Sequence, residues 1–494
     1  MTMIGSLVLL AAAVAFEQPR IVPTPAKADW QLDQCVELKP DLPVLLALED
    51  QSQDECSVRW VREHAHAAFG VDLKVRACMS PFSNRLRQGD SYGLYVSTNS
   101  VLFRAVGLDG VRYAFQTLRQ IAMPRRGTLK VEGWIAPGCT ITDGPKMKFR
   151  GIHLCWFPEV KVSTLERCIR LAGYYKMNFV VLETWGTFRS EKYPWWGWKD
   201  GAMTKAEVRR LKAIADDLGI VLVPQFNVFG HATMSRVASS KHAVLDLKRE
   251  YQPLFEPHMG WNWCLSNPEA LKVIDDLVVE MHEAFGNPPY FHIGCDEANP
   301  PSCPTCRAQD YVGLIASNIT RVATLLEKRG ARAMMWHDML LKQGAWKQFY
   351  ANARNGEERM LGVLPKSVII CDWHYSGVSK NGYPTLAHFR KAGYDVVTSP
   401  WEDICGTMAQ AKAAQEAGAL GILGTTWHHV YKRTIANQFV PCAAGGWGTA
   451  PETYGFADHW RQMGWDTGVD DYGDCGVVTE QVPSNTNIEI CPGG

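Results

Sequence analysis

Phe149-Arg150-Gly151-Ile152-His153-Leu154 leads into a helical pattern over residues 164–174, and that into Asn178-Phe179-Val180-Val181-Leu182. Two short apolar runs flanking a helix of amphipathic spacing make one β-α-β unit. The unit recurs along the chain. Further β-type runs stand at residues 220–226, 290–294, 332–336, 368–373, 394–398 and 421–427. Helical patterns at 205–218, 268–285, 309–328 and 408–417 lie between most of them. Eight strands alternating with helices predict a closed parallel (β/α)8 barrel of the TIM type, an α/β fold. A doubly wound open sheet is the alternative. No G-x-G-x-x-G or Walker-type loop follows any of these strands, which removes the usual nucleotide-binding readings.

Ahead of the barrel, residues 92–98 and 101–106 read as strands, and 58–69 and 111–121 as helices. This predicts a smaller α+β domain without a catalytic constellation. The expected boundaries are 1–15 for a signal peptide, 16–145 for the α+β domain, 146–440 for the barrel and 441–494 for a loop-rich C-terminal tail. Residues 4–16 form a short apolar stretch, and Ala13-Val14-Ala15 has the small-residue spacing of a signal-peptidase site, without a Lys or Arg before it. The 15 Cys fit an oxidising compartment, with at least one thiol left over. A secreted or periplasmic protein is the expectation.

Of 494 residues, 46% are hydrophobic and 21% charged, which excludes a mainly disordered chain. No apolar run of about 18 residues suggests a membrane span. Lys plus Arg equal Asp plus Glu at 51 each, so no basic field recommends nucleic acid as a partner.

Active groups on such a barrel lie at the C-terminal ends of the strands. In order, those ends carry His153, then Glu183 and Trp185, then Gln225, Asn227 and His231, then His292, Asp296 and Glu297. Strand five adds Trp336, His337 and Asp338, and strand six Asp372, Trp373, His374 and Tyr375. Strand seven gives Trp401, Glu402 and Asp403, and strand eight Trp427, His428 and His429. Indoles stack on rings, while carboxyls and imidazoles hold hydroxyls and move protons. Carbohydrate hydrolysis fits this rim best. Within it, Asp296-Glu297 close the segment Tyr290-Phe291-His292-Ile293-Gly294-Cys295-Asp296-Glu297. Most retaining glycosidases hold two carboxyls about 5 Å apart across the scissile bond. Adjacent carboxyls suit another division, in which one protonates the leaving oxygen and the other holds a substrate group that is itself the nucleophile.

That segment resembles the His-x-Gly-x-Asp-Glu hallmark of glycoside hydrolase family 20, the β-N-acetylhexosaminidases. Supporting stretches are Ile21-Val22-Pro23-Thr24-Pro25, Gln116-Thr117-Leu118-Arg119-Gln120, Phe149-Arg150-Gly151-Ile152-His153, Gly230-His231-Ala232 and Leu265-Ser266-Asn267-Pro268-Glu269. The resemblance implies a retaining exo-glycosidase acting on terminal β-linked N-acetylhexosamine of an oligosaccharide or glycoconjugate, with no cofactor and no metal. It implies Glu297 as general acid/base, and Asp296 as the group that orients the acetamido substituent and stabilises the oxazolinium ion. Arg150 would bind sugar hydroxyls, and Trp336, Trp373 and Trp427 would wall the acetamido methyl and ring face. His231, His292, Tyr375 and Glu402 complete the expected substrate-binding set.

The chain also departs from the family pattern. Glu183-Thr184-Trp185-Gly186 stands where an Asp-Asp pair is usual, and Gln225 and Asn227 replace acids after strand three. Glu402 aligns with a Tyr that holds the acetamido carbonyl, for which Tyr375 is a substitute from strand six. His428 and His429 follow Trp427 where an acid is usual, and Cys295 replaces Gly. Two alternatives follow: a non-catalytic carbohydrate-binding relative, or a glycosidase for a sulfated or extended 2-acetamido sugar, with Glu183 or Glu402 taking over hydroxyl binding if specificity is ordinary. In Cys303-Pro304-Thr305-Cys306, a lone C-x-x-C without a second pair, a disulfide-pinned loop is expected rather than a metal site.

Overall fold

The computed structural model describes residues 17–449 except 81, 83–85, 87–88, 127–130, 159, 199–200, 233–248, 258–259, 348, 376–377, 379–381 and 428–434. The expected signal peptide, most of the expected tail and His428-His429 therefore lie outside the described residues. The chain divides into two compact units between Gly144 and Pro145, with Val22–Thr24 belonging to the second.

The first unit is a mixed sheet with two helices, Asp54–Phe69 and Leu108–Ile121. Its strands are β1 (Lys27–Leu38), β2 (Pro43–Leu48), β3 (Lys74–Ala77), β4 (Tyr92–Val96), β5 (Val101–Ala105), β6 (Met123–Arg126) and β7 (Val131–Asp143), in the order β1-β7-β4-β5-β2-β3, with β6 beside β7. Helix Leu108–Ile121 buries Val111, Phe115 and Leu118, an i, i+4, i+7 stripe.

The second unit is a closed barrel of eight parallel strands. They are β8 (Phe149–Trp156), β9 (Phe179–Thr184), β10 (Val221–Gln225), β11 (Tyr290–His292), β12 (Arg332–Trp336), β13 (Ile369–Trp373), β14 (Asp395–Ser399) and β15 (Gly421–Thr425). Side chains alternate in and out along each strand. Phe149 points inward and stacks on Phe179 with ring centroids 4.1 Å apart. Val181, Val223, Met334, Ile369 and Leu423 fill the interior with it. Helix starts are set by side chains: Thr204 and Glu207 form a capping box, and Asn267 Oδ1 accepts the Glu269 amide ahead of Pro268.

The last helix among the described residues, Ala436–Trp447, runs across the position where a loop-rich tail is expected to begin at 441. Its Pro441, Gly445 and Gly446 are poor helix formers, so its propensity is low. Packing keeps it helical: a Cβ at Gly446 would strike the Arg150 side chain, and one at Gly445 would strike Ala411. No helix among the described residues is long and apolar enough to cross a membrane.

Candidate active site

The backbone after β11 separates the two neighbouring carboxyls. Gly294, Cys295 and Glu297 have φ of 67°, 75° and 47°, all in the left-handed region. Such conformations are unfavourable for side-chain-bearing residues and persist where the surroundings enforce them. A Cβ at Gly294 would run into the Asn227 side chain, so the turn needs glycine there. The result is divergence. The Asp296 side chain is 7% exposed and that of Glu297 is 49% exposed.

His231 joins them. Its Nε2 lies 3.3 Å from Asp296 Oδ2 and 3.3 Å from Glu297 Oε2. Glu297 is fixed through its backbone: its amide donates to Asp338 Oδ2 at 2.8 Å, and its carbonyl accepts from Trp261 Nε1 at 2.7 Å. Asn352 Nδ2 donates to the same Asp338 oxygen at 2.7 Å. Burial, then the Asp296 charge, pushes the Asp338 carboxyl up to about 7. Asp296 Oδ1 is buried and has no hydrogen-bond partner among the described residues. A carboxylate oxygen in that state is a ready acceptor for a ligand N–H.

Aromatic rings surround this pair. Trp336 and Trp427 have centroids 5.4 Å apart, and Tyr375 stacks against Trp373 at 5.1 Å and meets Trp401 edge-on at 5.0 Å. Tyr350 lies 4.5 Å from Trp373 and 5.2 Å from Tyr375. Tyr375 is half-buried by area but closely enclosed, and burial together with the Asp296 and Glu297 charges holds its phenol well above the usual range. It stays an O–H donor beside the carboxyls.

A buried network braces the Trp373 side of the bowl. His337 Nδ1 accepts the Trp373 amide at 3.1 Å, and its Nε2 is 2.9 Å from the Tyr350 carbonyl. His374 Nδ1 accepts the Tyr350 amide at 3.2 Å, while its Nε2 meets Asp372 Oδ1 at 2.9 Å. Burial lowers His337 to about 4, so it is neutral, as its role as an acceptor requires.

Of the residues expected at the site, Asp296, Glu297, His231, Trp336, Trp373, Tyr375 and Trp427 gather in this bowl. His292 lies beneath it, fully buried, 4.2 Å from the Trp336 ring, with Nδ1 accepting the Gly294 amide. It supports the wall and the turn and does not reach the surface of the bowl. Glu402 follows β14 on the rim with φ 55° and is half-buried.

Arg150 is a correction. It sits at the start of β8, and because Phe149 points into the barrel, Arg150 points out. Its guanidinium donates to the Met147 carbonyl at 2.8 Å and the Lys176 carbonyl at 3.4 Å and lies over the Trp447 ring. This places it on the outer wall, near the N-terminal ends of the strands, away from the rim. Glu183 is likewise corrected as a hydroxyl binder. It is 1% exposed, and its carboxylate contacts His153 Nε2 at 2.9 Å, Cys155 Sγ at 3.1 Å and Asn227 Nδ2 at 3.2 Å. Gln225 and Thr184 are also buried, and Thr184 Oγ1 donates to the Gln225 carbonyl. Thr184, Gln225 and Asn227 thus sit in a closed interior network, so these three replacements do not open the rim to a bulky sugar substituent.

The site also uses residues that the sequence reading left out of the candidate set: Trp261, Asp338, Tyr350 and Asn352. Asp338 stood in view as a strand-five residue. Nothing in spacing alone marks the other three.

Among the described residues, four groups of three ligand-type side chains have donor atoms within 4.8 Å: His231-Asp296-Glu297, His153-Cys155-Glu183, His337-Asp372-His374 and Cys264-Cys303-Cys306. In all three groups of histidine and carboxylate the side chains contact one another, and in the His337-Asp372-His374 group they also bond to backbone, as described.

The sequence pattern described as "Glycosyl hydrolase family 20, catalytic domain" matches residues 174–440, more than half of the chain. The chain belongs to glycosyl hydrolase family 20. The pattern for domain 2 of the same family matches residues 18–144. Among family-20 relatives, a β-hexosaminidase subunit β of Entamoeba histolytica is 24% identical over 329 residues, covering 63% of this chain and 54% of that protein. A β-hexosaminidase of Akkermansia muciniphila is 23% identical over 287 residues, covering 50% of this chain and 55% of that one. The chain thus spans about half the length of these curated relatives. The β-N-acetylhexosaminidase of Bacteroides fragilis superposes with a TM-score of 0.66 at 20% identity, covering 90% of this chain and 96% of that chain. The Streptomyces plicatus N-acetyl-β-hexosaminidase superposes at 0.63 with 18% identity, covering 92% and 97%. These likenesses establish the family-20 fold.

Proposed function

We propose that this family-20 protein is a retaining exo-β-N-acetylhexosaminidase that removes terminal β-linked 2-acetamido sugars by substrate-assisted catalysis. The observation that carries the reading is the divergence of Asp296 and Glu297 about a shared His231. Glu297, half-exposed, protonates the glycosidic oxygen. Asp296, buried with one oxygen unpartnered, accepts the acetamido N–H. The acetamido carbonyl oxygen then attacks the anomeric carbon as the bond to the leaving group breaks, forming an oxazolinium ion beside the Asp296 carboxylate. Water, deprotonated by Glu297, opens that ring on the same face and regenerates the β-configured sugar. Tyr375 supplies an O–H toward the carbonyl side, and Trp336, Trp373 and Trp427 enclose the methyl and ring.

The β-hexosaminidase names of the relatives support this class of substrate. Chromogenic 2-acetamido β-glycosides of gluco and galacto configuration test it, with proton NMR of the first-formed anomer. Hydrolysis with retained β configuration is expected. Turnover of glycosides that lack the 2-acetamido group at equal rates would overturn the reading. The proposal includes export, supported by the apolar stretch at residues 4–16 and checked by cell fractionation. Cysteine content speaks both ways: twelve described cysteines are free thiols, whereas Cys405 is held in a disulfide.

A further inference from the structure

Cys303 and Cys306 do not pair with each other; both are free, and a third thiol, Cys264, joins them. Cys303 caps the short helix Pro304–Arg307, which carries Cys306, and both thiols lie close to that of Cys264. We propose that Cys264, Cys303 and Cys306 form a structural Zn2+ site, with the Ser266 hydroxyl oxygen at its fourth corner.

The distances carry the argument. A Zn–S bond of about 2.3 Å in tetrahedral geometry places two sulfurs about 3.8 Å apart. Cys264 Sγ and Cys306 Sγ are 3.8 Å apart. A disulfide would bring them to about 2.05 Å. With a Zn–O bond of about 2.0 Å, the oxygen-to-sulfur edge of the same tetrahedron is about 3.5 Å. Ser266 Oγ is 3.0, 3.5 and 3.9 Å from the sulfurs of Cys306, Cys264 and Cys303. Four of the six edges thus lie close to those of a zinc tetrahedron, and the other two, from Cys303 Sγ to the sulfurs of Cys264 and Cys306, are within 4.8 Å.

The surroundings agree. The backbone amides of Thr305 and Cys306 donate to Cys303 Sγ. Amide-to-sulfur bonds of this kind stabilise a thiolate, the form that binds metal. Glu256 is 4% exposed; its Oε2 accepts from the amides of Ser302 and Cys303, and its Oε1 has no hydrogen-bond partner among the described residues. It anchors the Cys303 loop. Three sulfurs crowded beside a buried carboxylate are stabilised by a cation. Thiolate donors select soft or borderline ions, and zinc is the one that takes a closed four-coordinate site without redox chemistry.

Bound zinc would tie together two segments that support the catalytic carboxyl. One carries Trp261, which holds the Glu297 carbonyl, and Asn262, whose Nδ2 donates to the Asn299 carbonyl at 2.7 Å. The other runs from Asn299 to Cys306. The site has a structural role and supplies no group to the reaction.

The test uses the full chain, produced with zinc in the medium and desalted. Elemental analysis should find about one zinc per chain, as one closed site requires. Exchange to Co2+ should give sulfur-to-cobalt charge-transfer bands in the near ultraviolet and intense tetrahedral d–d bands in the red. Cys303→Ser and Cys306→Ser should each lose the metal and those bands, and Cys35→Ser, in the first unit, should keep both. Peptide mapping without reductant provides the opposite outcome. A metal-free chain, a disulfide between any two of the three cysteines, or zinc retained when Cys303 and Cys306 are both replaced would overturn the proposal. The wild-type zinc content and cobalt spectrum decide it even if the variants fail to fold.

Discussion

The Glu297 amide donates to Asp338 Oδ2 at 2.8 Å, so a carboxyl two residues past β12 fixes the backbone of the residue that ends the β11 turn. Asp338 is fully buried beside Asp296, and its carboxyl is raised from 3.8 to about 7. Between those values the folded state holds a proton that the unfolded state has released. Raising the pH through that window therefore destabilises the folded protein, and above it the penalty is constant. Asp338→Asn carries no such proton and keeps an oxygen for the Glu297 and Asn352 donors. Its stability relative to wild type should rise between about pH 4 and pH 7 by on the order of a few kcal/mol and then level off. Denaturant midpoints across that window check this. A difference that does not change with pH would show that Asp338 is ionised throughout.

Arg150 separates the structural account from the role that family resemblance implies. Arg150→Met should lower stability by about 2–4 kcal/mol, since it leaves the buried carbonyls of Met147 and Lys176 without this donor. KM for a 2-acetamido glycoside should stay within about twofold, because the side chain is outside the barrel. A large rise in KM at unchanged thermal stability would place Arg150 at the sugar.

Glu297→Gln should reduce kcat by roughly 10²–10⁴-fold on glycosides with poor leaving groups. On activated aryl glycosides the loss should be much smaller, because a good leaving group needs little protonation. Steady-state kinetics on a leaving-group series decide it. Equal losses across the series would give Glu297 another task.

Asp296→Asn should damage both substrate types alike, by roughly 10²–10³-fold, because it removes the anion facing the oxazolinium charge. Near-normal rates in this variant would separate Asp296 from the reaction.

The barrel was legible because each strand is a short apolar run between helices with clear periodicity, and the strand ends at 296–297, 336–338 and 373–375 could be read off it directly. Strand parity was harder to read. Arg150 and His153 both belong to β8, yet one faces out and the other in, and only Phe149 stacked on Phe179 settles which. The helix Ala436–Trp447 was hidden because its Pro and Gly residues speak against helix, while tertiary packing demands small residues there. Trp261 and Tyr350 reach the site from loops, where no periodicity announces them. Cys264 was overlooked for the same reason: it is distant in sequence from the C-x-x-C that it meets in space.

The central claim is that the substrate's own acetamido oxygen is the nucleophile, held by Asp296 while Glu297 moves the proton. The most direct measurement is kcat/KM on aryl glycosides whose 2-acetamido methyl carries none, one, two or three fluorines. Each fluorine draws electrons from the carbonyl oxygen and barely alters its size. The account predicts a steep fall in rate along the series. A flat series, with the trifluoro substrate turned over as fast as the parent, would contradict it.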